Sequence, residues 1–289
     1  MPSVLVTGSS GQLGSEIKSL VSKEGFFFTD HTTLDISDEK AVLEFVKSKD
    51  IGVIINCAAY TAVDKAEDDE VLADKINHLA VKNLARISKD MDIKLIHVST
   101  DYVFDGTNYK PYCEDDKTNP QSVYGKTKLD GEKAMIKINP KNSIIIRTSW
   151  VYSSFGNNFL KTMIRLGKER DELGVIYDQV GTPTYARDLA NAILQITQHS
   201  TLNTKHSVEI YHYSNEGVLS WYDFAKEIMK MAKLECKINP LETYQYPTPA
   251  PRPHYSLLNK AKIKKDFGIE IPYWKDGVDA CLRVLGERR

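Results

Sequence analysis

Ser3-Val4-Leu5-Val6-Thr7-Gly8-Ser9-Ser10-Gly11-Gln12-Leu13-Gly14 decides the fold. The short apolar run breaks at Gly8, as a buried parallel strand does at its end. Apolar residues then recur at Leu13, Ile17, Leu20 and Val21, the spacing of one helix face. Between them lies a Gly-x-x-Gly-x-x-Gly loop. A lone glycine pattern is weak, and an ordinary strand-to-helix turn is its bland reading. One set between a clear strand and a clear helix is strong. Missing side chains let a pyrophosphate approach the backbone, and the helix N-terminus offers free N–H groups. Gly8, Gly11, Gln12 and Leu13 are therefore candidate contacts of a dinucleotide.

The pattern continues outward. Phe26-Phe27-Phe28-Thr29-Asp30 reads as a second strand. An acid about 20 residues past the glycine loop accepts hydrogen bonds from an adenosine ribose. Asp30 is so placed, and its charge repels a 2′-phosphate, which leans toward NADH. Asp35 and Ile36 come in the next loop, where Asp35 is equally readable as a turn or cap acid. Ser37 or Asp38 can cap a helix over 39–48. Gly52 to Thr61 reads as a third buried strand ending in small residues, with Ala59, Tyr60 and Thr61 at its carboxyl end. A helix from about Asp69 to Met91 carries the stripe Ala73, Ile76, Leu79, Ala80, Leu84 and Ile87. Lys94 to Ser99 is a fourth strand, with His97 read as a structural histidine. Alternating strands and helices imply a doubly wound parallel sheet with ligands at the strands' carboxyl ends.

The fourth strand delivers Ser99-Thr100-Asp101-Tyr102 to that edge, and Tyr124-Gly125-Lys126-Thr127-Lys128 comes after a loop. Tyr124 and Lys128 stand four residues apart, so a helix stacks them on one face. A nearby ammonium is expected to pull a phenol's pKa down from about 10. Such a phenol suits carbonyl–alcohol interconversion, with the Thr100 hydroxyl able to bond the same substrate oxygen. A second copy, Tyr222-Asp223-Phe224-Ala225-Lys226, reads as structural: Ser220 caps an amphipathic helix, and no Ser/Thr strand end precedes it.

Composition narrows the function further. The 289 residues suit one large domain with a smaller annex. Lys and Arg total 38 against 39 Asp and Glu with no basic block, so no nucleic-acid partner is expected. No apolar run approaches the roughly 20 residues of a membrane span. The strand-like start argues against a signal peptide, and the scattered Cys57, Cys113, Cys236 and Cys281 suit a reducing cytoplasm. No His-x-His or His-x-x-x-His pair suggests a catalytic metal.

Residues 1–150 read as the dinucleotide-binding domain, with 178–200 packing back onto it. Residues 151–177 and 201–289 read as the substrate domain, with helices near 221–232 and 274–285. Tyr246-Pro247-Thr248-Pro249-Ala250-Pro251-Arg252-Pro253 is too proline-rich for helix or sheet interior. It is expected to be a fixed extended loop, either a tie between helices or a wall of the substrate cleft with Arg252 as an anion partner.

Taken together, Gly8–Gly14, Asn56–Glu67, Ser99–Gly106, Tyr124–Glu132, Arg147–Tyr152, Gly156–Lys161, Asp178–Thr184 and Tyr246–Pro253 resemble the extended short-chain dehydrogenase/reductase family. The resemblance spans nearly the whole chain. It implies a Rossmann-type α/β fold with a smaller, mostly C-terminal α/β substrate domain. It implies NADPH- or NADH-dependent reduction of the 4-keto group of dTDP-4-dehydro-L-rhamnose. Carried over, Gly11, Gln12, Leu13, Asp30, Asp35, Ile36, Ala59, Tyr60, Thr61, Tyr124 and Lys128 hold the cofactor. Thr100, Asp101 and Trp150 meet the dTDP-sugar, and Tyr124 donates the proton. Some relatives dimerise through a metal held by surface acids. Arg187 stands where such an acid is expected, which argues against that metal bridge in a homodimer here.

Two rivals share the fold. One is a nucleotide-sugar dehydratase or epimerase; dehydratases of the group resemble Thr-Asp-Glu after the catalytic strand, whereas Tyr102 comes after Asp101 here. A non-catalytic regulatory subunit is the other, since fold alone does not fix function. Intact Thr100, Tyr124 and Lys128 speak against it.

Overall fold

The computed structural model describes residues 2–22, 24–198 and 208–287. In chain order the elements are β1 (Ser3–Thr7), α1 (Gln12–Leu20), β2 (Phe26–Phe28), α2 (Glu39–Ser48), β3 (Ile51–Asn56), α3 (Val63–Ala66), α4 (Glu70–Asp74), α5 (Ala80–Asp90), β4 (Lys94–Thr100), α6 (Val123–Ile138), β5 (Ser143–Thr148) and β6 (Val151–Tyr152). They continue with α7 (Phe159–Glu169), β7 (Glu172–Ile176), β8 (Val180–Gly181), β9 (Thr184–Tyr185), α8 (Ala186–Gln198), β10 (Val208–Tyr213), β11 (Leu219–Ser220), α9 (Trp221–Met231), β12 (Lys237–Leu241), α10 (Ala261–Phe267) and α11 (Trp274–Val284).

One parallel sheet of six strands runs β10-β5-β4-β3-β1-β2. Its inner strands are mostly apolar on both faces, as a sheet covered on both sides requires. Successive side chains alternate between faces. Val4, Val6, Val53, Ile55, Ile96, Ile144 and Ile146 pack with Ile17 of α1, Leu189 and Ile193 of α8 and Phe267 of α10. Leu5, Ile54, Leu95 and Ile145 pack with Val42 of α2, Leu84 of α5 and Met135 of α6. The order reverses at β1, which lies between β2 and β3. The carboxyl ends of β1, β3, β4 and β5 open beside that switch point, where ligands bind in such sheets.

A second core joins α7, α9 and α11 to the parallel pair β7 and β12, through Leu160, Ile164, Val175, Phe224, Ile228, Ile238, Val278 and Leu282. Ser220 caps α9 in a reciprocal capping box with Asp223, and Phe224 and Ala225 are fully buried. The second Tyr-x-x-x-Lys copy is thus a packed helix start. Asp38, rather than Ser37, caps α2 by accepting the Ala41 N–H.

The structure departs from the sequence reading in three places. Strand β10 falls within 201–289 yet completes the large sheet beside β5. Its sequence hides it, because Val-Glu-Ile-Tyr-His-Tyr has the polar content of an edge strand, with Glu209 anchored by Lys262. Helix α10 is likewise hidden, being seven lysine-rich residues that end at left-handed Gly268. The expected boundary at residue 200 lies outside the described residues. Third, the helix read over 69–91 is interrupted by a π-helical turn at Lys75–Leu79. Its wider winding turns Leu79 outward, to 42% exposure, and buries Asn77 completely. The supposed apolar stripe therefore breaks at Leu79.

Candidate active site

The glycine loop joins β1 to α1 as the pattern requires. Gly8 has φ +65, and a Cβ there would lie 2.6 Å from the Ala58 nitrogen. One on Gly14 would lie 2.5 Å from the Gly8 carbonyl oxygen. These two glycines are demanded by the fold. Gly11 differs: a Cβ there meets only the Gly8 carbonyl within 4 Å, at 3.2 Å, so its bare face opens outward. No side chain caps α1, whose Ncap is Gly11. Uncapped N–H groups beside a bare backbone fit a dinucleotide's diphosphate. Gly11→Val is accordingly expected to fold but to raise the cofactor KM by roughly 10-fold or more, about 1.4 kcal/mol. Steady-state kinetics checked against the melting temperature separate this from the collapse expected for Gly8→Val.

The other expected cofactor contacts take varied positions. The Leu13 side chain lies in the core and Ile36 is buried. Asp30 has one carboxylate oxygen filled by its own turn, accepting from the Thr32 N–H at 3.0 Å and hydroxyl at 2.7 Å and from Thr33. The Thr32 hydroxyl leads in holding its pKa below the usual range. Asp35 likewise accepts from the Ser37 N–H and hydroxyl, as a turn acid does. Ala59, Tyr60 and Thr61 lie beyond β3, where Asn77 clamps the loop. Its amide accepts from the Tyr60 N–H at 2.9 Å and donates to the Tyr60 carbonyl at 3.1 Å and Thr127 at 3.2 Å. The π turn thus aims one amide at the loop after β3 and at helix α6, in keeping with the occurrence of such turns at functional sites.

Helix α6 carries Tyr124, Lys128 and Glu132 at successive turns of one face. Two glycines let it approach closely: a Cβ on Gly125 would lie 2.3 Å from the Tyr102 carbonyl, and one on Gly131 2.2 Å from that of Asn77. Tyr124 is half-buried and meets Tyr102 edge to face at 5.4 Å. Burial pushes its phenol up to about 12, while the facing Thr100 hydroxyl pulls the other way. Here the sequence expectation needs correction. Lys128 does not supply the downward pull on Tyr124. Its ammonium donates to the Val98 carbonyl at 2.7 Å and faces His97 Nε2 at 3.4 Å, and burial brings its own pKa down to about 8. One helix face is shared, but the lysine's tip is taken by β4.

Glu132 closes the face. It receives three hydrogen bonds from Arg147 of β5, at 2.7 to 3.2 Å, and one from Ser99. Both charges are nearly inaccessible, 3% for Arg147 and 1% for Glu132. Phe104 covers the guanidinium at 5.1 Å. This pair pins α6 to the strands that present Thr100 and Thr148. The sequence offered Glu132 and Arg147 only as members of matching blocks.

Substrate-side candidates rim the same edge. Thr100 caps the short turn Asp101–Val103 by accepting the Tyr102 N–H. Asp101 is buried beside it, and burial raises its carboxyl to about 6, with Ser256 and Thr100 opposing. Trp150 adopts φ +49, uncommon for a bulky residue and a mark of functional sites. It stacks on Trp221 at 3.7 Å, and Gly181 leaves room for its ring. The sequence suggests only a core role for Trp221. Arg252 makes a bidentate pair with Asp64 at 2.5 and 2.7 Å, and Asp64 also accepts the Ala250 N–H. The proline-rich loop is thereby tied to the segment after β3, beside Tyr102. Arg187 pairs with Glu16 at 3.3 Å, and no group of metal-ligating side chains occurs among the described residues. No helix among them is long and apolar enough to cross a membrane.

Comparison with known proteins places the whole chain in one family. Residues 2–286 match the family model described as the RmlD substrate binding domain. The dTDP-4-dehydrorhamnose reductase of Aggregatibacter actinomycetemcomitans is 41% identical over 284 residues, covering 95% of this chain and 96% of its own. The crystal structure of a dTDP-4-dehydrorhamnose reductase from Clostridium acetobutylicum superposes with a TM-score of 0.92 at 42% identity, covering 98% and 99% of the two chains. That of Bacillus anthracis, in complex with NADP, gives a TM-score of 0.91 at 36% identity, covering 98% and 99%. With its glycine cradle, its Thr100–Tyr124–Lys128 constellation and this likeness over nearly its full length, the chain belongs to the RmlD substrate binding domain family, an oxidoreductase family of Rossmann-type fold.

Proposed function

We propose that the protein reduces the 4-keto group of dTDP-4-dehydro-L-rhamnose with NADPH or NADH, giving dTDP-L-rhamnose, and that Tyr124 donates the proton. The observation that carries this is the position of Tyr124, beside Thr100 on a helix locked to the sheet edge that bears the glycine cradle. The reduced nicotinamide, when bound, supplies the hydride. Gly11 and Gln12, the loop at 59–61, Tyr124 and Lys128 would hold it, with Asp30, Asp35 and Ile36 toward its adenosine end. A phenol kept protonated by burial is ready to give its proton as charge builds on the substrate oxygen. Thr100 hydrogen-bonds that oxygen and stabilises the developing charge. Trp150 and Asp101 border the sugar.

Arg252 recognises the diphosphate by exchanging or sharing its Asp64 partner. A charged hydrogen bond is worth about 1.5–3 kcal/mol, so Arg252→Ala should raise the KM for the sugar nucleotide roughly 10- to 100-fold with kcat nearly unchanged. An unchanged KM would return Arg252 to the role of a structural tie. The function itself is tested by a steady-state assay with dTDP-4-dehydrorhamnose and each cofactor in turn. Sugar-dependent oxidation of the nicotinamide supports the proposal. Cofactor binding without turnover would favour a regulatory subunit instead.

A further inference from the structure

Trp150 stands in a backbone conformation that suits it badly. Among the described residues, the non-glycine positions with positive φ are Asp50, Asp92, Asn139, Asn142, Lys233 and Trp150. The first four are residue types that tolerate the left-handed region. Lys233 comes just past the end of α9, a usual place for that conformation. Trp150 has neither reason, and it turns between β5 and β6 where bulk is costly. Its surroundings must hold it there.

Three contacts do so. The Trp150 carbonyl accepts the Thr184 N–H at 3.2 Å. Gly181 lies against the ring's edge, where a Cβ would come within 3.0 Å of Cε2 and Cζ2. Trp221 covers one face, with centroids 3.7 Å apart and planes 15° from parallel. Rings this close overlap over most of their area, so neither can tilt without the other. The Trp150 indole N–H has no hydrogen-bond partner among the described residues, so packing sets the plane of its ring.

Trp221 is itself firmly built in. Strand β11 pairs with β8, with Leu219 opposite Gly181, and Trp221 comes directly after β11. One short ribbon thus supplies both Gly181 and Trp221. The Ser220–Asp223 capping box fixes the start of α9, and Phe159 of α7 backs the Trp221 ring at 4.6 Å. Phe159 and Trp221 pack against the second core, whereas Trp150 comes off the end of β5 in the large sheet. A ring kept for core packing would be buried by its own core. Trp221 stays partly exposed and gives a face to Trp150.

We propose that Trp221 is a positioning residue for the reduction: by covering one face of Trp150, it holds that ring where it meets the sugar nucleotide. The proposal rests on the reading above that Trp150 borders the sugar.

Phenylalanine and leucine at position 221 separate this role from packing. Phenylalanine keeps a flat face, and leucine fills space without one. In the steady-state assay with full-length protein, Trp221→Leu should raise the KM for dTDP-4-dehydrorhamnose roughly 10-fold, the worth of a good aromatic pair, with the cofactor KM unchanged. Trp221→Phe should recover most of that loss. Trp150→Leu should raise the same KM. The double variant Trp150→Leu with Trp221→Leu should be no worse than Trp150→Leu alone, because Trp221 acts through that ring. If Trp221→Leu does not fold, Trp221→Met takes its place in the comparison. An unchanged sugar KM in the leucine variant overturns the proposal. So does a double variant whose defect is the product of the two single ones, or a rise in both KM values, as a loosened fold would give. If Trp150→Leu itself leaves the sugar KM unchanged, Trp150 does not meet the sugar, and the proposal falls with that reading. A defect at position 150 without one at 221 defeats the proposal alone.

Discussion

Tyr124→Phe should lose turnover by about 10²–10⁴-fold, the usual worth of a positioned proton donor. Cofactor affinity should change little, because the ring and its edge-to-face contact with Tyr102 remain. Fluorescence titration with NADPH, set beside kcat from the steady-state assay, makes the comparison. The burial that raises the phenol's pKa strengthens this expectation. A donor that holds its proton firmly in the resting protein enters the reaction protonated and gives that proton up as the substrate oxygen becomes basic. A phenylalanine variant with undiminished kcat would take Tyr124 out of the mechanism.

The second large effect concerns stability. Arg147→Met should destabilise the fold by about 3–5 kcal/mol, because it strands the Glu132 carboxylate in the interior. The Ser99 hydroxyl alone cannot offset that charge. The double change Glu132→Leu with Arg147→Met should recover most of the loss, since a buried ion pair exchanged for apolar residues of similar volume is often neutral. Urea unfolding monitored by circular dichroism reads both. Activity should not return with stability in the double variant. The pair fixes where α6 sits against β4 and β5, and with it the position of Tyr124 relative to Thr100. A single variant as stable as the wild type would show that the pair's burial has been overestimated.

Local patterns carried the parts of the fold that were legible in advance. Strand, glycine loop and helix within Ser3–Val21 read correctly because each signal lies within a few residues of the next. The Tyr124–Lys128 spacing placed both on one helix face for the same reason. Sequence spacing could not show where the lysine's tip would go. That depends on the Val98 carbonyl and on His97, which approach from another strand. The Trp150–Trp221 stack depends on how the two cores meet, and the Arg252–Asp64 pair joins residues 188 apart. Asp30 shows the limit from the other side. Its distance from the glycine loop fits a ribose contact, yet Thr32 and Thr33 already occupy one of its oxygens, a local bond that the spacing rule ignores. Strand β10 stayed hidden because its sequence meets the needs of an edge rather than those of an interior.

The winding of residues 75–79 has a consequence for how this chain tolerates change in length. A π turn holds one residue more than a regular helix would place there. Deleting a single residue from it would restore ordinary pitch, leave the flanking segments facing as before, and remove the bulge that aims Asn77. With Ala80–Asp90 anchored in the core, the Asn77 amide would leave the Tyr60 backbone, and the strand-end loop at 59–61 would lose its clamp. A helix made more regular would leave a less well-formed cleft.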